Sequence, residues 1–157
     1  MLERIGTAQG LKKTPEDDQA IGRSAGGLST KIHAICDALG NPVSFLLTAG
    51  QASDLHGADA LMDDLTVADA VLADRAYDAD ERVRHKLHAH GCQAVIPPKK
   101  NRLQPASYDK DLYKSRHLIE NFFAKLKQYR AIATRYDKTS SVFLGSIYLA
   151  SIVVWLN

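Results

Sequence analysis

Cysteine is scarce in this chain: Cys36 and Cys92 are the only two among 157 residues, and no Cys-x-x-Cys spacing joins them. That usage argues against a disulfide framework and suits a reducing cytoplasm. A membrane-length apolar run is missing as well. The most apolar stretch, Val142 to Leu156, is 15 residues long and holds two serines and a tyrosine, too short for a span, so it reads as a buried core helix. Met1 opens no signal-peptide pattern, and no internal repeat or low-complexity tract interrupts the chain. With 45% apolar residues, what remains is one globular domain of ordinary composition.

Strong net charge is also absent, but the overall +2 conceals an asymmetry. From Lys99 to Lys138 eleven Lys or Arg face four Asp or Glu, a local charge of +7, while the rest of the chain carries −5. A basic band of this kind suits an anionic partner such as nucleic acid, with a solvated charged helix as the plainer account.

Residues 1–27 are polar and aperiodic, which predicts a loop or arm. A domain over 28–157 follows. Thr30, Ile32, Ala34 and Cys36 alternate, "LGNP" supplies turn residues, and Val43 to Thr48 is a second apolar run, together a β-hairpin. Ser53 or Asp54 caps a helix carrying Leu55, Ala58, Leu61, Met62 and Leu65. Ala70 to Ala73 reads as a buried strand ending at Asp74. Asp78 and Glu81 resemble a capping box for a helix through Val83 and Leu87 that Gly91 stops. Cys92 to Ile96 is another strand, and a long helix starts near Tyr108. The order predicts an α/β fold with a mixed sheet, in which the strand ending at Asp74 lies centrally.

Two carboxylates stand out. Asp74 closes an apolar strand, at the end where α/β sheets place ligands. On the helix from Tyr113 to Arg130, Tyr113, Arg116, Glu120 and Lys127 fall within about 60° of one another, opposite Leu118, Phe122, Leu126 and Tyr129. Taken singly, each acid has a plain reading: Glu120 pairs with Arg116 one turn away, and Asp74 ends a strand beside Arg75 or Arg82. Together they can converge on Mg²⁺ or Mn²⁺, since hard cations take oxygen ligands. His85, His88, His90 and Cys92 do not share a face, and a zinc site is not expected there.

The spacing Tyr113-x2-Arg116-x3-Glu120-x6-Lys127, with "LADRAYD", resembles bacterial insertion-sequence transposases of the Asp-Asp-Glu (DDE) type, in the group marked by a Tyr-Arg-Glu-Lys signature. The blocks "GRSAGGLSTKIHAICDALGNPVSFLLTAGQASD", "AVIPPKKNR" and "IENFFAKLKQYRAIATRYDK" are similar to that group too. The resemblance implies a ribonuclease H-like mixed sheet flanked by helices, two divalent metals (Mg²⁺ or Mn²⁺), and strand cleavage and transfer on DNA in a bacterial, nucleoid-associated setting. It makes Asp74 the second acid and Glu120 the third, both metal ligands, with Tyr113, Arg116 and Lys127 on phosphates. The basic residues Lys99, Lys100, Arg102, Lys125 and Arg130 are expected to add DNA contacts. The pattern's first acid has no counterpart: Asp17 and Asp18 lie in a polar run, and Asp37 and Asp54 belong to blocks that match elsewhere. The expectation is therefore a chain without the fold's first strand and with an incomplete metal pair, partnered by DNA and by a further copy or an upstream-frame chain. The competing readings are a non-catalytic DNA-binding fragment that modulates an intact transposase and, against the basic band, a small-ligand α/β domain.

Overall fold

The computed structural model describes residues 2–7, 19–62 and 68–156, the first of these by backbone pairing alone. Its spine is β3 (Gly27–Cys36), antiparallel to β4 (Pro42–Ala49) with Thr30 opposite Ala49 and Cys36 opposite Pro42. The hairpin follows from the alternation in the sequence. Its turn is held by Asp37, whose carboxylate accepts the backbone N–H groups of Leu39 and Asn41 at 2.9 Å each.

The other strands of this sheet come from segments that local pattern misses. β1 (Leu2–Thr7) runs antiparallel to β3, with Leu2 opposite His33 and Gly6 opposite Ser29. β2 (Gly22–Ser24) folds back on the start of β3. Residues 1–27 are therefore not simply a polar arm: their described parts include two strands, fixed by partners rather than by periodicity. A two-residue strand, β7 (Thr134–Arg135), lies parallel to β1.

β3 is covered on both faces, Ser29 to Ala34 all being buried. Alternation sends Ile32 and Ala34 into a core with Phe45, Phe122, Phe123, Leu126, Ile132, Phe143 and Ile147. Arg135, wholly buried, donates to the Thr30 hydroxyl at 2.7 Å and to the carbonyl of Asp137 at 3.0 Å, and lies over the Phe143 ring. One charge of the basic band is thus internal and structural.

Lys31 and His33 point the other way, toward α1 (Asp54–Leu61), whose N-cap is Ser53 as its sequence predicts. Lys31 donates to Asp54 and to the carbonyl of Ala52, both at 2.5 Å. At Gly57 the helix comes so close that an added Cβ would lie 2.1 Å from the His33 ring, so only glycine fits. His33 hydrogen bonds with Thr48 at 2.8 Å and Tyr77 at 3.3 Å. Burial, partly opposed by Asp54, pulls its pKa down to about 4. His33 is neutral when folded and takes up a proton when unfolded below about pH 6.5. Stability should therefore fall by about 3 kcal/mol as pH drops from 6.5 to 4. Urea unfolding across that window checks this, and His33→Gln should flatten the slope.

A second core gathers Ala58, Met62, Tyr77, Val83, Leu87, Cys92 and Ile96 beside β5 (Ala70–Leu72) and β6 (Gln93–Val95), which pair in parallel. The expected central place for the strand before Asp74 is corrected here. β5 pairs with β6 in a sheet of its own, and a cavity of about 670 Å³, lined by Ala34 to Ala38 and Asp69 to Ala73, parts it from β3. Among the described residues the fold is mixed α/β, in two sheets rather than one. Between β5 and β6 run a 3₁₀ turn (Arg75–Tyr77), a π-helical turn (Asp80–Arg84) and α2 (His85–Ala89). Gly91, at φ +72°, ends that run as its sequence predicts. Leu65, expected on α1, lies outside the described residues.

The long basic helix is realised as α3 (Lys110–Tyr113), a 3₁₀ turn (Lys114–Arg116) and α4 (His117–Leu126), right-handed helical throughout. Asp109 caps it, accepting from the N–H groups of Asp111 and Leu112 at 2.9 Å. α5 (Arg130–Ala133) and α6 (Ser140–Leu156) complete the chain. The buried core helix expected from composition is corrected at α6: Phe143, Ile147, Ala150 and Ser151 face inward while its opposite face is open. Among the described residues no helix is long and apolar enough to cross a membrane.

Candidate active site

Asp74 follows β5 directly, and its carboxylate accepts the N–H of Ala76 at 2.8 Å, capping the 3₁₀ turn. That bond uses one oxygen's lone pair and fixes the side chain at the strand's C-terminal end. Tyr77, buried in the second core, has its hydroxyl pKa raised by burial and then by the negative charges of Asp74 and Asp54.

Tyr113 closes α3, just ahead of the 3₁₀ turn that leads into α4. Burial raises its hydroxyl pKa, Arg116 opposes that, and the Asp74 charge adds to it. The guanidinium of Arg116 lies 5.6 Å from the Tyr113 ring centre and also hydrogen bonds its side chain. Arg116 further pairs with Glu120 one turn on. Tyr108 packs edge-on to Tyr113 with ring centres 5.4 Å apart, a support not recognised in the sequence. Tyr113, Arg116 and Glu120 make a contiguous row on the helix, and the charge of Asp74 reaches Tyr113. Glu120 is exposed, and Lys127 caps α4 two turns further along.

The basic residues divide. Lys100, Lys125, Lys127 and Arg130 are exposed and Lys99 is half-buried. Arg102 is engaged elsewhere, donating to Asp78 at 2.8 Å, to both oxygens of Asp80 at 2.5 and 2.7 Å, and to the carbonyl of Gln104 at 2.7 Å. A phosphate would have to displace these carboxylates to reach its guanidinium.

Asp78 is the residue whose role local sequence misassigns. It does not cap the following helix. Its side chain is 1% exposed and accepts from Arg84 at 2.9 Å, from Arg102 at 2.8 Å and from the backbone N–H of Lys99 at 2.8 Å. Despite the cost of burial, these donors hold its carboxyl below the usual range. The clasp ties the loop bearing Lys99 and Lys100 to the segment after Asp74.

Asp37 and Asp54 are not free to act as a further acid, being committed to the hairpin turn and to Lys31. Asp17 and Asp18 lie outside the described residues. Among the described residues no group of three or more His, Cys, Asp or Glu side chains is gathered to hold a metal ion, the "HKLHAHGC" histidines included. The row supplies two carboxylates, one capped by Ala76 and one paired with Arg116, which falls short of the donors a pair of divalent cations takes.

The family model described as "Transposase DDE domain" matches residues 8–155. Over 130 residues, 83% of this chain and all of the relative's, the chain is 40% identical to a protein of Brucella ovis named as a transposase for insertion sequence element IS6501. No solved structure matches.

Proposed function

This chain belongs to the transposase DDE domain family, and from that premise we propose that its work on DNA centres on the row formed by Asp74, Tyr113, Arg116, Glu120 and Lys127. The observation that carries the reading is the contiguous row of Tyr113, Arg116 and Glu120 on the helix, with Asp74 near enough for its charge to act on Tyr113. Two acids and a set of donors on adjoining elements suit a phosphodiester: the donors hold phosphate oxygens, and the acids serve the reacting end. Arg116 has a double part, orienting Glu120 and adding its positive charge to the row. Tyr113, held edge-on by Tyr108, lies against that guanidinium.

In this reading Asp74 and Glu120 are the metal-holding carboxylates, and Mg²⁺ or Mn²⁺ would activate the attacking oxygen and stabilise the leaving one. No step is assigned to a cation, because the described donors do not make up a full set. That shortfall favours a second reading beside the first, a DNA-binding chain that modulates an intact transposase. Both require DNA affinity.

Binding is the discriminating test against a small-ligand domain. Half-buried Lys99 and exposed Lys100, Lys125, Lys127 and Arg130 would neutralise four or five phosphates, so duplex affinity should fall by about two orders of magnitude between 50 and 200 mM salt. Lys99→Glu with Lys100→Glu should weaken all duplexes alike and make the log–log salt slope shallower by about two. Fluorescence anisotropy on duplexes of unrelated sequence measures both. Affinity indifferent to salt would leave the basic band as a solvated face.

A further inference from the structure

The basic loop after β6 keeps one of its cations to itself. A turn closed by the Arg102 N–H on the Lys99 carbonyl at 3.1 Å sets Lys99, Lys100 and Arg102 close together. Arg102 is anchored at three places. Nε donates to the carbonyl of Gln104 and Nη1 to Asp78, which fixes the guanidinium, while Nη2 donates to both oxygens of Asp80. The two carboxylates are unequal. Asp78, 1% exposed, also holds Arg84 and the Lys99 N–H. Asp80 is 47% exposed, and among the described residues its carboxylate accepts hydrogen bonds only from Arg102, with Arg84 further off at 4.0 Å. A buried acid of the first kind is costly to unpair. An exposed pair of the second kind contributes little and is open to exchange.

We infer that Arg102 is a phosphate-binding position that Asp80 holds closed, and that a DNA phosphate opens it by taking the place of Asp80 on Nη2. Charge supports the exchange. Arg84 and Arg102 balance Asp78 and Asp80, so moving Asp80 aside leaves one positive charge in excess beside Lys99 and Lys100. Geometry supports it too. A guanidinium already held at Nε and Nη1 stays oriented while its outer nitrogen changes partner. Asp80 begins a π-helical turn that has no side-chain cap, so its departure takes no bond from that turn. The exchange deepens the DNA reading above and rests on it. In the wild-type chain the displaced carboxylate recovers a cation as the phosphate sheds one, so the contact adds little to affinity or to its salt dependence.

A double-mutant cycle, read by fluorescence anisotropy on duplex DNA at about 50 mM salt, tests this. Asp80→Asn and, independently, Asp80→Ala should tighten binding about five- to tenfold and steepen the log–log salt slope by about one. Arg102→Gln and, separately, Arg102→Met should change wild-type affinity by less than about twofold, yet remove the whole gain in the Asp80→Asn background. Glu81→Gln deletes the same charge one residue on, at a side chain that pairs with His85. It should give at most about a twofold gain, which Arg102→Gln leaves in place. Salt-dependent DNA binding by the wild-type chain, with Asp80→Asn no tighter than Glu81→Gln, keeps the DNA reading and overturns the exchange. A gain that survives both Arg102 substitutions overturns it as well. Absence of salt-dependent affinity in both the wild type and Asp80→Asn overturns the two together.

Discussion

Duplexes carrying candidate transposon ends, incubated with the purified 157-residue chain and Mg²⁺ or Mn²⁺, should remain uncut above the buffer control. Mg²⁺ gives up water reluctantly and takes near-octahedral oxygen ligation, and two-metal cleavage needs both ions to stabilise the attacking and leaving oxygens. Asp74 and Glu120 supply two carboxylates, each with a protein donor already on it. Neither Asp37 nor Asp54 is available, because each closes a structural contact of its own. Supplying an additional strand that carries Asp, fused or in trans, should raise nicking at least about a thousandfold, on the scale that assembling a metal-assisted site contributes. Asp74→Ala or Glu120→Ala should then return it to background while leaving salt-dependent DNA binding in place. Robust cleavage by the chain alone that vanishes in Asp74→Ala would defeat this argument. It would mean that an acid outside the described residues, Asp17 or Asp18 first among them, completes the set.

Replacing Asp78 by Ala should cost about 3 kcal/mol of folding free energy, since it takes the buried carboxylate from Arg84, leaves the Lys99 N–H without its acceptor, and leaves Arg102 only its Asp80 and Gln104 partners. Asp78→Asn should cost less, as the amide oxygen still accepts from Lys99. Acid should reproduce part of the loss. The folded-state pKa of Asp78 lies below the usual carboxylate value, so its contribution is fully present above about pH 4 and fades as pH falls through that lowered pKa. His33 acts in the window above, between about 6.5 and 4, so urea titrations at closely spaced pH values separate the two. An Asp78→Ala change below about 1 kcal/mol would show that the clasp contributes no more than a surface ion pair. Because the same carboxylate accepts the Lys99 N–H, the variant should also loosen DNA binding at Lys99 and Lys100 without touching the row on α4.

How far the sequence discloses this molecule depends on whether each feature is local. The hairpin of β3 and β4, the Ser53 cap and the Gly91 stop are written in neighbouring residues, and all are present. β1 is not. "LERIGT" has no decisive period, and it becomes a strand only because β3 and β7 offer edges on either side. Asp78 shows how a local pattern loses to a distant one: the capping-box spacing with Glu81 is real, yet Arg84, Arg102 and Lys99 together offer more donors than a helix terminus does. Separate sheets for β3 and β5 were likewise illegible, because apolar runs reveal that a strand is buried and not which edge it pairs with. At the site the four-residue spacing on the helix was readable, and so was the strand-end position of Asp74. The nearness of Asp74 to Tyr113 was not, since it depends on how the segment after β5 and the helix from α3 lie in space.

The parallel contact between β1 and β7 ties Gly6 to Thr134 and Thr7 to Arg135, almost opposite ends of the chain. As the polypeptide leaves the ribosome, β2, β3 and β4 can zip together early, for their contacts are close in sequence. The β1 edge facing β7 has to wait until residue 135 has emerged, leaving unpaired N–H and C=O groups through most of synthesis. Closing so long a loop costs only slightly more than closing one of half the length, about 0.6 kcal/mol per doubling. The penalty of this topology therefore falls on time rather than stability. A nascent chain that stalls before Thr134 carries an open strand edge, and its encounters with neighbouring nascent chains are the hazard the finished sheet removes.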